Sequence, residues 1–164
     1  FGQPQAQFRL EAPIFVARQW YRHTIGTVRS EVSRRYVDDE PRFFEPKEWR
    51  SRPDGNIKQG SGPAIGEPFA TSCTQELERV HNIIMDTYKT LLMYGVAPEQ
   101  ARMILPQNMM TSWYWTGSLM FFHRVYKQRT DAHAQMESQE IAHQIGSICA
   151  ELFPVSWAAL TGDE

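Results

Sequence analysis

The pattern of apolar and polar residues predicts three long helices from the middle of the chain onwards. The first covers residues 74–94, with Thr71 or Ser72 as its cap and Gly95 as its stop, and its apolar stripe consists of Leu77, Val80, Ile84, Tyr88, Leu91 and Leu92. The other two helices are predicted over residues 118–129 and 134–153, and Pro154 ends the last of them.

A shorter helix is predicted near the start of the chain, over residues 12–22. Phe15, Val16 and Trp20 share one of its faces, and Pro13 suits its first turn. Gly26 lies beyond its end, where a helix is expected to break.

The remaining pattern predicts extended segments and one more helix. Residues 28–37 indicate a polar turn followed by an extended segment, and residues 38–48, broken by two prolines, indicate an edge strand or an irregular arm. A short helix begins at Pro98, and β-forming residues predict a strand over 109–115. Together these elements predict an α+β domain with a sheet covered by helices on at least one side.

Glycine and proline concentrate between residues 51 and 70, which predicts a loop. The segment contains Pro53-Asp54-Gly55-Asn56 and Gly60-Ser61-Gly62-Pro63. A lid over a site is one interpretation, but a plain surface connection is the commoner role for such a segment.

Length and composition limit the class of protein. With 164 residues, the chain is expected to form a single domain over 1–164. A composition of 41% hydrophobic and 22% charged residues excludes a chain that is disordered throughout. No apolar run reaches the roughly 18 residues of a membrane span, so no membrane partner is expected. Cys73 and Cys149 are predicted to be small apolar residues in a reducing cytoplasm, and no metal site is predicted.

The charges are unevenly placed. A net charge of −2 argues against bulk nucleic-acid binding, yet five arginines lie between Arg18 and Arg35, opposed there only by Glu31. Guanidinium groups bind phosphate or carboxylate through two parallel hydrogen bonds. One hypothesis is therefore that four arginines converge on an anionic ligand: Arg22, Arg35, Arg102 and Arg129. The alternative is a set of surface ion pairs with Glu31, Asp38, Asp39 and Glu40.

Familiar catalytic motifs do not explain the chain. Gly60-Ser61-Gly62 lacks the spacing of a phosphate-binding loop, and no nucleophile elbow is present. Neither cysteine has a histidine close by in sequence, so a thiol nucleophile has little support.

The order of several short motifs is more specific than any one of them. Gln19-Trp20-Tyr21-Arg22-His23-Thr24 and Ser30-Glu31-Val32-Ser33-Arg34-Arg35-Tyr36-Val37 resemble the signature of flavin-dependent thymidylate synthases. The resemblance continues in the same order through Phe44-x-Pro46-x-x-Trp49-Arg50, Ala101-Arg102-x-x-Leu105-Pro106, Thr116-Gly117-Ser118 and Arg129-x-x-x-His133-Ala134-Gln135-x-Glu137. It covers nearly all of the chain between Ala12 and Pro154.

The resemblance implies a fold and a reaction. The expected fold is α+β with a central, mostly antiparallel sheet, and the expected reaction is reductive methylation at C5 of dUMP or UMP. Methylenetetrahydrofolate would supply the carbon, and FAD reduced by NADPH the hydride. The family assembles its sites from several subunits of a homotetramer, so the same is expected here.

The resemblance also assigns roles to residues by position. The expected nucleotide-binding set is Gln19, Arg22, Glu31, Ser33, Arg34, Arg35, Arg102 and Arg129. Within that set, Arg129 is the expected catalytic residue, since a cation beside the uracil stabilises negative charge spread over the ring. The expected FAD-binding set is Arg22, His23, Thr24, Glu31, Ser118, Met120, Arg124 and His133. Outside the resemblance, a structural role would be the commoner interpretation of His23 and His133.

Five positions depart from the family pattern, and all belong to its flavin-facing part: Thr24, Ser30, Ser118, Met120 and Arg124. Two serines replace asparagines, and Met120 replaces an arginine. These departures are typical of a diverged branch, such as UMP or dUMP methylases. They also leave open a hydroxymethylating variant and a catalytically altered relative that binds nucleotide without turnover. An anion-binding enzyme of unrelated chemistry would require the resemblance to be accidental.

Overall fold

Three strands form one antiparallel sheet in the computed structural model, which describes residues 1–35, 39–53, 55 and 60–162. The strands are β1 (Gln5–Pro13), β2 (Thr27–Glu31) and β3 (Met110–Ser118), in the spatial order β1-β3-β2. Gln5 pairs with Ser118 at one end of β1, and Pro13 pairs with Met110 at the other. The predicted strand near 109–115 and the predicted α+β class with an antiparallel sheet are thus confirmed.

The sequence pattern does not predict β1 as a strand, and it places Ala12 and Pro13 in the helix that follows. Its side chains alternate between solvent and core, with Phe8, Leu10 and Ala12 buried. That alternation is the normal signature of a strand with one buried face. The helix α1 therefore begins only after Pro13 and covers Ile14–Trp20.

In the part of the chain that the structure describes, five further helices follow: α2 (Phe69–Met93), α3 (Pro98–Ala101), α4 (Leu119–Arg129), α5 (Met136–Leu152) and α6 (Pro154–Thr161). A single 3-10 turn, Arg102–Ile104, continues α3. Pro154 ends α5 as predicted, but it also begins α6, which the pattern did not predict. A short and almost wholly apolar segment has no periodicity by which a helix could be identified.

The ends of the long helices have clear physical causes. Gly95 has a φ of +80° and ends α2 as predicted, because its N–H donates to the Leu92 carbonyl and the next N–H donates to the Leu91 carbonyl. The predicted cap of α2 by Thr71 or Ser72 is wrong. Both residues lie inside the first turn, and Thr71 donates instead to the Glu67 carboxylate.

The core lies between the sheet and the helices α1, α4, α5 and α6. It is built from large aromatic side chains that meet edge to face, and Trp115 contacts both Trp20 (5.7 Å between ring centres) and Phe121 (4.9 Å). Cys149 is part of this core, and burial raises the pKa of its thiol to about 11. Its placement as a small apolar residue is as predicted.

The helix α2 lies outside that core. Only His81 and Tyr88 of its described side chains are buried, and Val80, a member of the predicted apolar stripe, is exposed. His81 stacks on Phe43 with 4.4 Å between ring centres. The predicted arm over residues 38–48 is irregular in its described part and joins the sheet region through one bridge between Phe43 and Met109.

The predicted loop over residues 51–70 takes part in a short antiparallel ladder. Residues 49–51 pair with residues 62–65, and these two segments together with the adjoining Ser61 are called the ladder below. Arg50 pairs with Ala64, and main-chain hydrogen bonds join Ser51 to Pro63 (2.9 Å) and Ile65 to Trp49 (2.8 Å). The predicted extended course of Tyr36-Val37, the acidic Asp38 and the turn at Asp54 and Asn56 lie outside the described residues. In the described ranges, no helix is long and apolar enough to cross a membrane.

Candidate functional site

Two cavities lie on either side of Arg18. The first cavity, of about 760 Å³, is lined by the end of β2, the segment after it and the 3-10 turn, among other parts of the chain; its lining includes Glu31, Ser33, Arg34 and Arg102. The second cavity, of about 620 Å³, is lined by residues from the ends of α1 and α4 and from the ladder, among them Gln19, Arg22, Arg50, Arg129 and His133. Every residue predicted to bind the nucleotide lines one of these cavities, except Arg35.

The four arginines of the convergence hypothesis do not line one common cavity of a single chain. Arg22 and Arg129 line the second cavity, whereas Arg102 lines the first. Arg35 pairs with Glu99, which also lines the first cavity, at 2.9 Å between Nη2 and Oε2. These arginines belong to different elements. Arg102 comes directly after α3, whereas Arg22 lies just beyond α1 and Arg129 is the last residue of α4.

The alternative set of surface ion pairs is only partly described: Glu31 and Glu40 have partners other than the arginines between Arg18 and Arg35, and Asp38 lies outside the described residues. Arg34 donates to the main-chain oxygens of Asp39 and Glu40 rather than to their carboxylates. Glu40 pairs with Lys89 (2.8 Å), and Glu31 accepts a hydrogen bond from Thr111 (2.8 Å).

Arg129 is held in place from two sides. Its Nη2 donates to the main-chain oxygen of Gln19 (2.7 Å), and its Nε donates to Nε2 of His23 (3.0 Å). A guanidinium has no acceptor, so His23 must accept at Nε2 and carry its proton on Nδ1. Burial, followed by the nearby charges of Arg129 and Arg124, lowers the pKa of His23 to about 4. The imidazole is therefore neutral near pH 7, and it orients Arg129 without adding a charge.

Gln19 connects this arginine to the start of α5. Its side-chain oxygen accepts from Arg129 Nη1 (3.4 Å) and from the hydroxyl of Ser138 (3.4 Å), while its Nε2 donates to Gln135 (2.5 Å). Ser138 is fully buried and accepts in turn from the indole of Trp20. Because these partners come from α1, α4 and α5, the guanidinium is fixed by the packing of three helices.

Sequence reasoning assigned no role to Arg50 or Glu137, although both belong to the motifs that carry the resemblance. Nη2 of Arg50 lies 2.5 Å from Oε1 of Glu137, and the two side chains are 15% and 11% exposed. The Nε of Arg50 donates to the hydroxyl of Ser61 (2.7 Å). In the sequence, the one feature that marks these two residues is that each is the last residue of a motif shared with the family.

The residues predicted to face the flavin are divided. His133 lines the second cavity, and Glu31 lines the first. His133 Nδ1 lies 3.0 Å from the carboxylate of Asp131. Arg22 also lines the second cavity, and His23 accepts a hydrogen bond from Arg129 there. The remaining four lie on or near α4 or on the exposed segment before β2: Ser118 caps α4 by accepting from Phe121, Met120 is 43% exposed, Arg124 donates to the Ile25 carbonyl, and Thr24 is exposed. Contact of these residues with a flavin stays a prediction.

The second cavity fits phosphate groups by its charge. Four guanidinium groups line it, those of Arg18, Arg22, Arg50 and Arg129, and no carboxylate is among its described lining residues. A dinucleotide cofactor or a nucleotide each carries phosphates that such a surface would bind.

Comparison with known proteins agrees with this geometry. The sequence profile of the family described as Thymidylate synthase complementing protein (Thy1) matches residues 1–155. The flavin-dependent thymidylate synthase of Thermus thermophilus is 39% identical over 153 residues, which are 93% of this chain and 55% of that protein. The enzyme of the same name from Thermosipho melanesiensis is 38% identical over 150 residues, 90% of this chain and 63% of that protein. The chain thus spans between half and two thirds of these relatives.

Solved structures show the same fold. The UMP/dUMP methylase PolB from Streptomyces cacaoi, bound with 5-Br UMP, superposes with a TM-score of 0.88 over 96% of this chain and 73% of that chain, at 24% identity. Its complex with 5-Br dUMP gives 0.83, with 25% identity over 96% and 70% of the two chains. The resemblance seen in the motifs is confirmed, and the chain belongs to the flavin-dependent thymidylate synthase family.

Proposed function

We propose that this protein methylates C5 of a uridine monophosphate, dUMP or UMP, reductively. The carbon donor would be methylenetetrahydrofolate, and FAD reduced by NADPH would supply the hydride when bound. The observation that carries the proposal is the fixed position of Arg129 in a cavity lined by four guanidinium groups. Membership of the family and the bound ligands of the PolB structures support the same substrate class.

Arg129 is the proposed catalytic residue. Burial lowers its pKa from the ordinary arginine value, but the group stays a cation at physiological pH. Its hydrogen bonds to Gln19 and His23 fix its orientation before any substrate arrives. A preorganised cation beside a uracil carbonyl stabilises negative charge on the ring, which makes C5 more nucleophilic.

The remaining nucleotide contacts are proposed for the first cavity. Ser33 and Arg102 line it, together with Glu31 and Arg34, while Arg35 lies beside Glu99 at its edge. These hydrogen-bonding and cationic groups suit a phosphate and a ribose. We also propose that residues 1–164 form one nucleotide- and flavin-binding domain and that the protein works in the reducing cytoplasm, which its two free cysteines favour.

We infer that the complete site is shared between subunits of a homotetramer. The two parts of the predicted nucleotide set lie in different cavities of one chain, so the first cavity of one copy would meet the second cavity of another. Large apolar side chains remain exposed on α2 and just beyond its end, among them Phe69, Ile83, Met93 and Tyr94. Burial of such side chains between copies would stabilise the assembly.

The experiment that tests the reaction begins with the visible spectrum of the purified protein, with and without added FAD. A flavin band, NADPH oxidation stimulated by dUMP or UMP, and a nucleotide heavier by one methyl group would support the proposal. Absence of a flavin band without rescue by FAD would contradict it.

A second candidate is a relative that binds nucleotide without turnover. Met120 stands where the family has a charged side chain and offers a flavin neither a charge nor a hydrogen-bond donor, which favours this candidate. It predicts a colourless protein that still binds dUMP or UMP. A hydroxymethylating variant would instead give a product heavier by one hydroxymethyl group.

A further inference from the structure

A largely buried ion pair lies at the wall of the second cavity. Arg50 projects from the ladder, pairs with Glu137 in the first turn of α5 and donates to Ser61 across the ladder. Arg50 and Ser61 line the second cavity on one side and a smaller, apolar cavity of about 320 Å³ on the other. Glu137 lines only the apolar cavity, so its carboxylate lies behind Arg50 and not in the cationic space.

Fold stability alone does not explain this pair. Removing two charges from water costs about as much as their attraction returns, so buried pairs contribute little net stability. Here the second oxygen of Glu137, Oε2, is buried and has no hydrogen-bond partner among the described residues, which adds a further cost. An apolar pair of similar volume would suit the fold equally well, so the pair requires another reason.

The charges of the second cavity supply that reason. Arg50 is the fourth guanidinium beside Arg18, Arg22 and Arg129, and four like charges around one cavity repel each other. The carboxylate of Glu137 offsets that repulsion for Arg50 and fixes its side chain from behind. The Nη1 of Arg50 makes no hydrogen bond within the described part of the chain, so one donor nitrogen of this fixed fork remains available to a ligand.

We propose that Arg50 binds a phosphate group in the second cavity and that Glu137 and Ser61 are its positioning residues. The proposal deepens the proposed function and rests on it for the identity of the ligand. The phosphate belongs either to the uridine nucleotide or to the flavin dinucleotide, which present the same chemistry to Arg50.

The test compares ligands with and without phosphate. Dissociation constants are measured for UMP against uridine and for FMN against riboflavin, pairs that each differ by one phosphate group, in the wild type and in Arg50→Gln. For each pair, the ratio of the two dissociation constants measures how much the phosphate group contributes to binding. In Arg50→Gln this ratio is expected to fall about tenfold or more for one of the two pairs, because a charge-assisted hydrogen bond is lost. Uridine and riboflavin themselves should bind unchanged. The pair that is affected identifies the ligand.

The matched control is Arg79→Gln. Arg79 forms an exposed pair with Glu76 on α2 and lines neither of the two cavities. This substitution removes the same charge from the protein, so a general loss of cationic character would affect both variants equally. A phosphate effect of equal size in Arg79→Gln would overturn the proposal.

A second series tests the positioning role and guards against misfolding. Arg50→Gln leaves Glu137 buried without its partner, whereas Arg50→Gln with Glu137→Gln removes both charges together. Glu137→Gln alone should lower phosphate affinity, and adding Arg50→Gln to it should lower that affinity little further, because Arg50 has already lost its fixed orientation. Fully additive losses would show that Glu137 does not act through Arg50 and would overturn its positioning role.

Inorganic pyrophosphate separates this proposal from the proposed function. If the wild type binds neither nucleotide nor flavin, but binds pyrophosphate in a manner that Arg50→Gln weakens, the proposed function fails and the phosphate site stands. If the wild type binds nucleotide and flavin, and Arg50→Gln changes no phosphate-dependent affinity, only the phosphate site fails. Absence of binding for all these probes overturns both.

Discussion

At the scale of single residues, the second cavity combines a buried cation with a neutral imidazole. Arg129 keeps its charge although burial lowers its pKa, and His23 accepts its hydrogen bond without competing for a proton. This arrangement has two consequences, one for catalysis and one for the dependence of stability on pH.

Arg129→Lys is expected to reduce turnover by roughly a hundredfold or more, with a smaller change in KM for the nucleotide. Lysine keeps the positive charge, but it cannot donate to Gln19 and His23 at once and still offer a donor in the same plane. The measurement is steady-state formation of the methylated nucleotide, with Arg79→Lys as the control. An unchanged kcat would remove Arg129 from its catalytic role.

The lowered pKa of His23 predicts a loss of stability in mild acid. The unfolded chain binds a proton at His23 near its ordinary pKa of 6.5, whereas the folded protein binds one only near 4. The free energy of unfolding should therefore fall as pH decreases from 6.5 and stop falling from this cause below about 4.

Denaturant unfolding at several pH values measures this effect. His23→Asn should flatten the curve over that window, while His143→Asn, a change at an exposed position of α5, should not. Identical pH dependence in the wild type and His23→Asn would contradict the prediction.

At the scale of elements, the ladder is the part of the fold that most directly serves the second cavity. It presents Arg50 and Ser61 to that cavity and is joined to α2 by a hydrogen bond from the Trp49 indole to Thr74 (3.0 Å). At Gly62 the two sides of the ladder lie so close together that there is no room for a side chain. A Cβ there would meet the Ser51 hydroxyl and would lie 2.7 Å from the carbonyl oxygen of Arg52.

Gly62→Ala is therefore expected to destabilise the protein by about 1–3 kcal/mol, since the ladder must open to admit one methyl group. Gly66→Ala is the matched control, because no atom lies within 4 Å of a Cβ at that position. Denaturant unfolding compares the two variants with the wild type. Equal free energies of unfolding for both variants would contradict the prediction, since the ladder would then accommodate the methyl group at residue 62 without loss of stability.

The elements differ in how far the sequence alone could predict them. The long helices α4 and α5 and the strand β3 follow from patterns that extend over many residues. The start of α2 was misplaced because the Thr71 and Ser72 hydroxyls look like caps, whereas the structure places both residues inside the first turn. Neither the ladder nor the Arg50–Glu137 pair was predicted, because both depend on contacts between distant parts of the chain.

At the scale of the whole molecule, the residues predicted to bind the nucleotide, apart from Arg35, separate into two cavities, and the sequence could least predict that separation. The motifs contain most of the residues that line the second cavity, but only a minority of those that line the first. They could not show that Arg102 and Arg129 lie in different cavities, because spacing along a chain carries no information about distance between elements.

If sites are shared between copies, two inactive variants should restore each other. Arg102→Ala removes a residue of the first cavity, and Arg129→Ala removes one of the second. In a mixed homotetramer, a site that takes its first cavity from the Arg129→Ala chain and its second from the Arg102→Ala chain contains both arginines. Random mixing of equal amounts would make about a quarter of the sites intact.

Co-expression of the two variants with different affinity tags, followed by purification through both tags, measures this recovery. Mixed assemblies should regain a substantial fraction of wild-type activity, while each variant purified alone stays inactive. The control is the double variant mixed with the wild type. A double-variant chain supplies neither an intact first cavity nor an intact second one, so every intact site in that mixture comes from wild-type chains alone. Mixed assemblies that stay inactive would place both arginines in a site within one chain, which would require the two cavities to join when the ligand binds.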